Sequence, residues 1–390
     1  MKKILIMCLS DPSGDPRPKR FINYFNAKNY QIFLVSNELK TKNLNINEHL
    51  IIPKKNKVLG IKLLRYLFLV YIFLIRYFFP NNRYLNYLSN IRYNLNNIDI
   101  KLSKLKFDII LVEDLLLLPL AMEICQNSPI IFDVREYYPS QGEDSLIFNL
   151  FEKKERIRLC NLYLKRCSLL FTVSPGLIDQ YRKNFGVEME LLLSVPNFKE
   201  INVKHKTDDN IKMVHHGFAN YNRKIENMIE IVKNLDNRFS LDLYLTGKDG
   251  YIEILKKMAK NDSRIQFFDL IPFDNIIDVL STYDVGFFYV EPTTFNLSRC
   301  LPNKFFEFIQ ARIMVAIGPT PDMAHFIHKY GCGIVSKEFS LNAMVDSLND
   351  LNKEDVLRMK LNSAKAAEDL NFEKQIIKLD YLFDNLTLKH

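Results

Sequence analysis

Short apolar runs that end in turn residues alternate along the chain with longer stretches whose apolar positions recur every three to four residues. In the first half the runs at 3–9, 31–35, 107–112, 130–134, 169–173 and 191–195 predict strands. In the second half the predicted strands are 212–215, 240–245, 265–268, 285–289, 314–317 and 333–335. Strands that alternate with helices pack as parallel sheets covered on both faces. Two such sets predict an α/β chain of two Rossmann-like domains with a cleft between them. A length of 390 residues also suits two cores better than one. The polar run SVPNFKEINVKHKTDDN reads as the linker. The expected division is 1–198, 199–370, and a C-terminal helix in 371–390 that packs back toward the first domain.

One segment tests whether the chain stays in water. VLGIKLLRYLFLVYIFLIRYFF, at 58–79, is long enough to span a bilayer but carries Lys62, Arg65 and Arg76. At about 100° per residue these three fall within about 60° of each other on a helix. A cationic stripe on an aromatic-rich helix suits one lying in the membrane interface. A core helix with one wet edge fits equally well.

Composition adds less. With 48% hydrophobic and 25% charged residues the chain is globular. A net charge of +8 suits phosphate-bearing ligands or anionic lipid, or simply a solvated surface rich in lysine. No zinc-finger spacing or RNA-recognition motif is present, so nucleic acid is not an expected partner. The six cysteines are scattered and read as reduced, mostly buried thiols. No histidine pair has ligand spacing, so no metal is expected. MKKILIMCLSD reads as a first strand rather than a leader, which implies a cytoplasmic location, either free or peripheral on the inner face of the membrane.

The chemistry concentrates where strands end. Gly14, Gly176, Gly217, Gly247 and Gly318 each follow a predicted strand, where backbone N–H groups can approach a phosphate. Neither a Gly-x-Gly-x-x-Gly nor a Walker A motif occurs. LPNKFFEFI, at 301–309, places Pro302 at the start of a helix, whose unpaired N–H groups favour an anion. Lys304 adds a full charge to the same end. Glu307, one turn on, would repel a bare phosphate but suits a ribose diol, and a nucleoside diphosphate offers both. The bland alternative is a surface Lys–Glu pair worth a few tenths of a kcal/mol.

Downstream, QARIMVAIGPTPDMAHFIHKYGCGIVS continues the pattern. The whole segment resembles the donor-binding region of GT-B glycosyltransferases, particularly the retaining family 4 type. There a PNK-apolar-apolar-Glu stretch supplies the glutamate that grips the ribose of a nucleotide sugar. MVHHGFANYNRKIENMIEIV resembles the opening of the family's C-terminal domain. The resemblance implies that Gly217 brings backbone to the phosphates and that Arg223, with Lys224, clamps them. It also assigns Gly247, Asn303, Lys304 and Glu307 to the donor. FDIILVEDLLLLPLA, IIFDVREYYPS and LFTVSPGLIDQYRKNFG resemble strand ends on the acceptor side, which brings in Arg135 and Ser174. The likeness runs over 3–336.

Three departures stand out. Arg299 occupies the place, eight residues before Glu307, where the family often carries a second glutamate. Arg135 stands where a histidine is common. Gln310-Ala311-Arg312 replaces the usual Ala-Gly.

The resemblance implies a hexosyltransferase that uses a nucleotide-diphosphate sugar and a bacterial surface glycan as acceptor. Such an acceptor would be lipid-linked, as in lipopolysaccharide or capsule assembly. No cofactor or metal is expected, because fixed positive charge can serve the leaving diphosphate. The alternatives are a nucleotide-sugar epimerase of the same fold and a catalytically inactive GT-B scaffold. Asp15, Asp114 and Glu136 are candidate bases; each also fits a turn, a helix cap or an ion pair. Arg17, Lys19 and Arg20 form a basic loop suited to an acceptor phosphate.

Overall fold

The computed structural model describes residues 1–41, 44–53, 61–79, 84–95, 98–102, 104–125, 127–204, 209–247 and 249–387. They form two compact units, Met1–Leu192 with Leu382–His390, and Leu193–Tyr381.

The first unit holds β1 (Lys3–Met7), β2 (Gln31–Ser36), β3 (Glu48–Ile51), β4 (Ile109–Val112), β5 (Ile130–Val134), β6 (Leu169–Thr172) and β7 (Glu190–Leu191). Their order is β3-β2-β1-β4-β5-β6-β7, with every pairing parallel. The second unit holds β8 (Ile211–Ala219), β9 (Phe239–Gly247), β10 (Ile265–Phe268), β11 (Val285–Phe288), β12 (Met314–Ile317) and β13 (Gly333–Val335). They are ordered β10-β9-β8-β11-β12-β13, again all parallel. This is the pair of Rossmann-like sheets that the alternation predicts. Strands such as β4 (IILV) and β11 (VGFF) are buried at every position, which is why they read as unbroken apolar runs. β3 is the strand the pattern missed. Its sequence, EHLI, lies on the sheet edge and is partly exposed throughout, so no apolar run marks it.

Helix Ile61–Phe78 corrects one expectation. Arg76 is buried rather than on a wet edge: its Nε lies 3.0 Å from Glu155 and its Nη1 donates to the Phe151 carbonyl at 2.8 Å. The exposed side carries Leu64, Leu67, Tyr71, Leu74 and Phe78. At about 100° per residue these fall on one stripe, opposite the charge. The side chains of Lys62 and Arg65, and residues 58–60, lie outside the described part. Among the described residues no helix is long and apolar enough to cross a membrane.

In the second unit the former linker is fastened down. Arg312 has a left-handed φ of 61°, at the point where the family pattern has glycine. Its guanidinium donates to the carbonyls of Gln310 (2.7 Å) and Lys199 (2.7 Å) and lies over the Phe198 ring. Gln310 donates to the Ala367 and Leu370 carbonyls. The departure from Ala-Gly is thus a structural latch that offsets the backbone strain with hydrogen bonds.

Candidate functional site

In the second sheet the strand order reverses between β8 and β11, and the loops beyond their carboxyl ends form the switch point where open α/β sheets bind ligands. Helix Asn303–Gln310 follows β11 and begins there. Pro302, just before it, forgoes an N–H that the helix would leave unpaired, and its extended backbone turns the chain into the first turn.

Lys304 is the centre of the arrangement. Its Nζ lies so close to the Gly217 backbone that a Cβ there would stand 2.8 Å from it. Gly217 also has φ +119°, a conformation that L side chains rarely adopt, so the backbone requires glycine there even if the lysine tip shifts aside. The same Nζ is 3.4 Å from His215 Nε2 and 5.2 Å from the centre of the Phe288 ring. His215 is fully buried with Nδ1 2.9 Å from the Phe287 carbonyl. A carbonyl only accepts, so Nδ1 carries the proton and Nε2 presents a lone pair to the lysine. Burial, then the Lys304 charge, holds the His215 pKa well below the imidazole norm, consistent with this neutral tautomer. Burial, and next the positive Arg223, also push Lys304 down to about 7, with Glu307 and Cys300 opposing.

Arg223 sits in the short turn Tyr221–Arg223 and is half-buried, with its pKa lowered by that burial. Among the described residues no carboxylate pairs with its guanidinium. Arg223 is therefore held near Lys304 without a carboxylate of its own, an arrangement that a phosphate would relieve. Glu307 is buried one turn along the helix, its Oε2 3.2 Å from His216 Nε2, within ion-pair distance but off a hydrogen-bond line.

The other donor-side candidates are placed as follows. Lys224 pairs with Glu291 at 2.8 Å. Asn303 accepts from the Ser194 hydroxyl at 2.7 Å and so anchors the linker. Gly247 ends β9, where a Cβ would stand 2.3 Å from the Ala219 carbonyl oxygen, so its bareness serves the β8–β9 contact. Arg299 is half-buried at the end of the short helix Phe295–Ser298.

The first unit gathers charge at its own strand ends, also around a reversal, between β1 and β4. Arg135 donates to both oxygens of Asp15, at 2.7 and 3.1 Å, and lies 3.5 Å from Glu113. Burial opposes the Arg135 charge, but Glu113 and Asp15 overcome it and raise its pKa. Asp15 also caps helix Pro16–Ala27 by accepting from the Arg17 N–H. Arg17 forms a buried two-pronged pair with Asp133, at 2.5 Å in each prong, and donates to the Leu192 carbonyl at 2.9 Å. Its guanidinium is thereby committed to the core rather than offered to a phosphate. Lys19 and Arg20 on the same helix are half-buried and partnered. Asp114 stands at a cap position but makes no capping bond; it accepts from the Leu9 N–H at 2.6 Å. Burial raises its pKa. Glu136 accepts from Gln141 at 2.7 Å and is likewise raised by burial. Ser174 is fully buried at the start of helix Pro175–Phe185, its hydroxyl without a protein partner among the described residues.

Three groups escaped the sequence reading. His215 and His216 interrupt an apolar strand just before a strand-end glycine, and that interruption was the available signal. Glu113 is wholly buried, with its carboxyl driven well above the usual range by burial, against the pull of Arg135. Its Oε1 has no partner among the described residues. In a run such as VEDLLLLPLA nothing marks which acid turns inward.

The chain matches no protein-family profile and no curated protein sequence. Solved structures do match. Sucrose-phosphate synthase from Thermosynechococcus elongatus aligns at TM-score 0.72 and 11% identity over 100% of both chains. A glycosyltransferase from Rickettsia africae aligns at 0.70 and 12%, covering 99% of this chain and 98% of that one. Anabaena HepE, solved with UDP and glucose, aligns at 0.69 and 10%, covering 99% and 100%. The fold is GT-B. At such identities the likeness establishes architecture, and the chemistry must be argued from the side chains.

Proposed function

We propose that this GT-B protein is a glycosyltransferase that moves a sugar from a nucleoside-diphosphate donor held in the second unit. One observation carries the reading: Lys304 Nζ lies over the bare backbone of Gly217 at the switch point, with Arg223 near it and Glu307 a turn away. HepE of the same fold was solved with UDP and glucose, which supports a nucleotide donor and makes UDP-glucose the first to test.

In the proposed reaction the bond between the sugar and the diphosphate breaks, and negative charge grows on the leaving oxygen. Lys304, protonated once an anion is present, Arg223 and the N–H groups opening helix Asn303–Gln310 stabilise that charge from fixed positions. Glu307 accepts from ribose hydroxyls. These groups supply the charge that a divalent metal would otherwise provide, so turnover is proposed to persist in excess chelator.

The acceptor hydroxyl loses its proton to Glu136, whose half-buried carboxylate is raised by burial toward the working range of a base. In a retaining reaction of the family 4 type the departing phosphate takes it instead. The acceptor class is proposed to be a lipid-linked surface glycan, with the exposed apolar face of helix Ile61–Phe78 resting on the membrane.

The deciding experiment has two stages. A thermal-shift screen across UDP, GDP, CMP and ADP should single out one nucleotide. Release of that nucleotide from its sugar conjugates is then measured with and without an acceptor extract. Acceptor-dependent release supports transfer; isomerised sugar without release identifies an epimerase; no stabilisation by any nucleotide overturns the donor site.

A further inference from the structure

Helix Ile61–Phe78 raises a question that its exposed face alone leaves open: why Arg76 turns inward. Arg76 meets Glu155 of helix Lys153–Tyr163, and Glu155 is also held by Arg158 at 2.7 Å. Two arginines on one carboxylate leave a positive charge over. Next to them a cavity of about 360 Å³ opens, lined by Phe73, Arg76, Tyr77, Lys154, Arg158 and Leu162 among others. Lys154 is exposed and pairs with no carboxylate among the described residues. The cavity is thus basic on one wall and aromatic or aliphatic on the other.

Its surroundings say what covers it. Tyr77 lines the cavity and is itself 67% exposed, so the cavity joins the apolar stripe of Leu64, Leu67, Tyr71, Leu74 and Phe78. Phe73 meets Phe151 edge-on at 5.8 Å, and just before Phe151 the chain exposes Leu146, Ile147 and Leu150. On another side, Tyr84 and Tyr87 of helix Tyr84–Tyr93 are exposed and stacked at 5.7 Å. An apolar, aromatic surface with a recessed cationic pocket matches an acyl layer topped by phosphodiesters.

We propose that the cavity between helices Ile61–Phe78 and Lys153–Tyr163 takes the phosphodiester head of an anionic phospholipid, whose acyl chains receive the apolar face beside it. The proposal rests on the membrane reading above and adds a site and a lipid class to it. Lys154 and the guanidinium edge of Arg158 contact the phosphate, while Arg76 and Glu155 keep that edge in place.

The test uses the full chain and two liposome types, phosphatidylcholine alone and phosphatidylcholine mixed with phosphatidylglycerol. Cosedimentation is expected on both, about tenfold tighter on the mixture. Lys154→Glu should remove that preference. Lys183→Glu, an equal charge change on an exposed helix face elsewhere, should keep it. Leu74→Asp should weaken binding to both liposomes. Circular dichroism melts check that each variant is folded. Equal binding to both lipids, or equal loss from Lys154→Glu and Lys183→Glu, overturns the headgroup pocket while leaving the membrane reading intact. No binding to either lipid overturns both, as does a lipid-free dimer that Leu74→Asp dissolves, since the face then serves a second copy.

Discussion

A lysine held at about 7 must take up a proton when its anion arrives, and that uptake can be measured. In the empty site Lys304 is disfavoured as a cation by burial and by Arg223. At pH 7.5 a group of pKa about 7 is roughly three-quarters unprotonated. A diphosphate beside it favours the ammonium form. Binding at pH 7.5 should therefore draw about 0.7 proton per site from the buffer, falling to about 0.1 at pH 6. Apparent affinity should weaken by up to tenfold per unit as pH rises above 7.5. Calorimetric titration with UDP-glucose in buffers of different ionisation enthalpy reads the uptake directly. A nucleotide sugar is preferable to UDP, whose terminal phosphate would titrate as well. Lys304→Arg keeps the charge and abolishes the uptake. The empty protein gives an independent check. The folded pKa lies below the unfolded one, so the unfolded chain binds more protons between about pH 7 and 10.4, and the Lys304 contribution to stability rises across that window. Uptake near zero at pH 7.5, or unchanged uptake in Lys304→Arg, would refute this reasoning.

Gly217→Ala forces a Cβ against Lys304 Nζ and strains the backbone at φ +119°, so stability should fall by about 1–3 kcal/mol in denaturant melts, with weaker nucleotide binding. Glu307→Gln should cost about tenfold in affinity for UDP but much less for a 2′,3′-dideoxy nucleotide, since only the former offers the diol. Glu136→Gln should lower kcat by about 100-fold or more if the carboxylate is the base; wild-type turnover excludes it. Arg312→Ala removes the latch to Lys199 and should lower the denaturation midpoint while leaving nucleotide affinity unchanged.

What the sequence disclosed follows from where its signals are local. Strands such as Ile130–Val134 and Met314–Ile317 are buried on both faces, so their apolar runs stand out at full strength. The edge strand Glu48–Ile51 has no such run and stayed hidden. Lys304 and Gly217 were nameable because a strand-end glycine and a helix-opening lysine are one-dimensional signals. Their contact joins residues far apart in the chain, and so does the pair Arg17–Asp133, which ties Arg17 into the core. Helix Ile61–Phe78 shows the same limit. Periodicity sets Arg76 opposite the apolar stripe, but only packing against Glu155 decides which side faces water.

The most direct test is a structure of the protein with the nucleotide that stabilises it. The diphosphate should lie against Lys304, Arg223 and the opening turn of helix Asn303–Gln310, and the Glu307 carboxylate should meet both ribose hydroxyls. A nucleotide seated elsewhere, with Lys304 still turned to His215 and Glu307 touching only His216, would contradict the account.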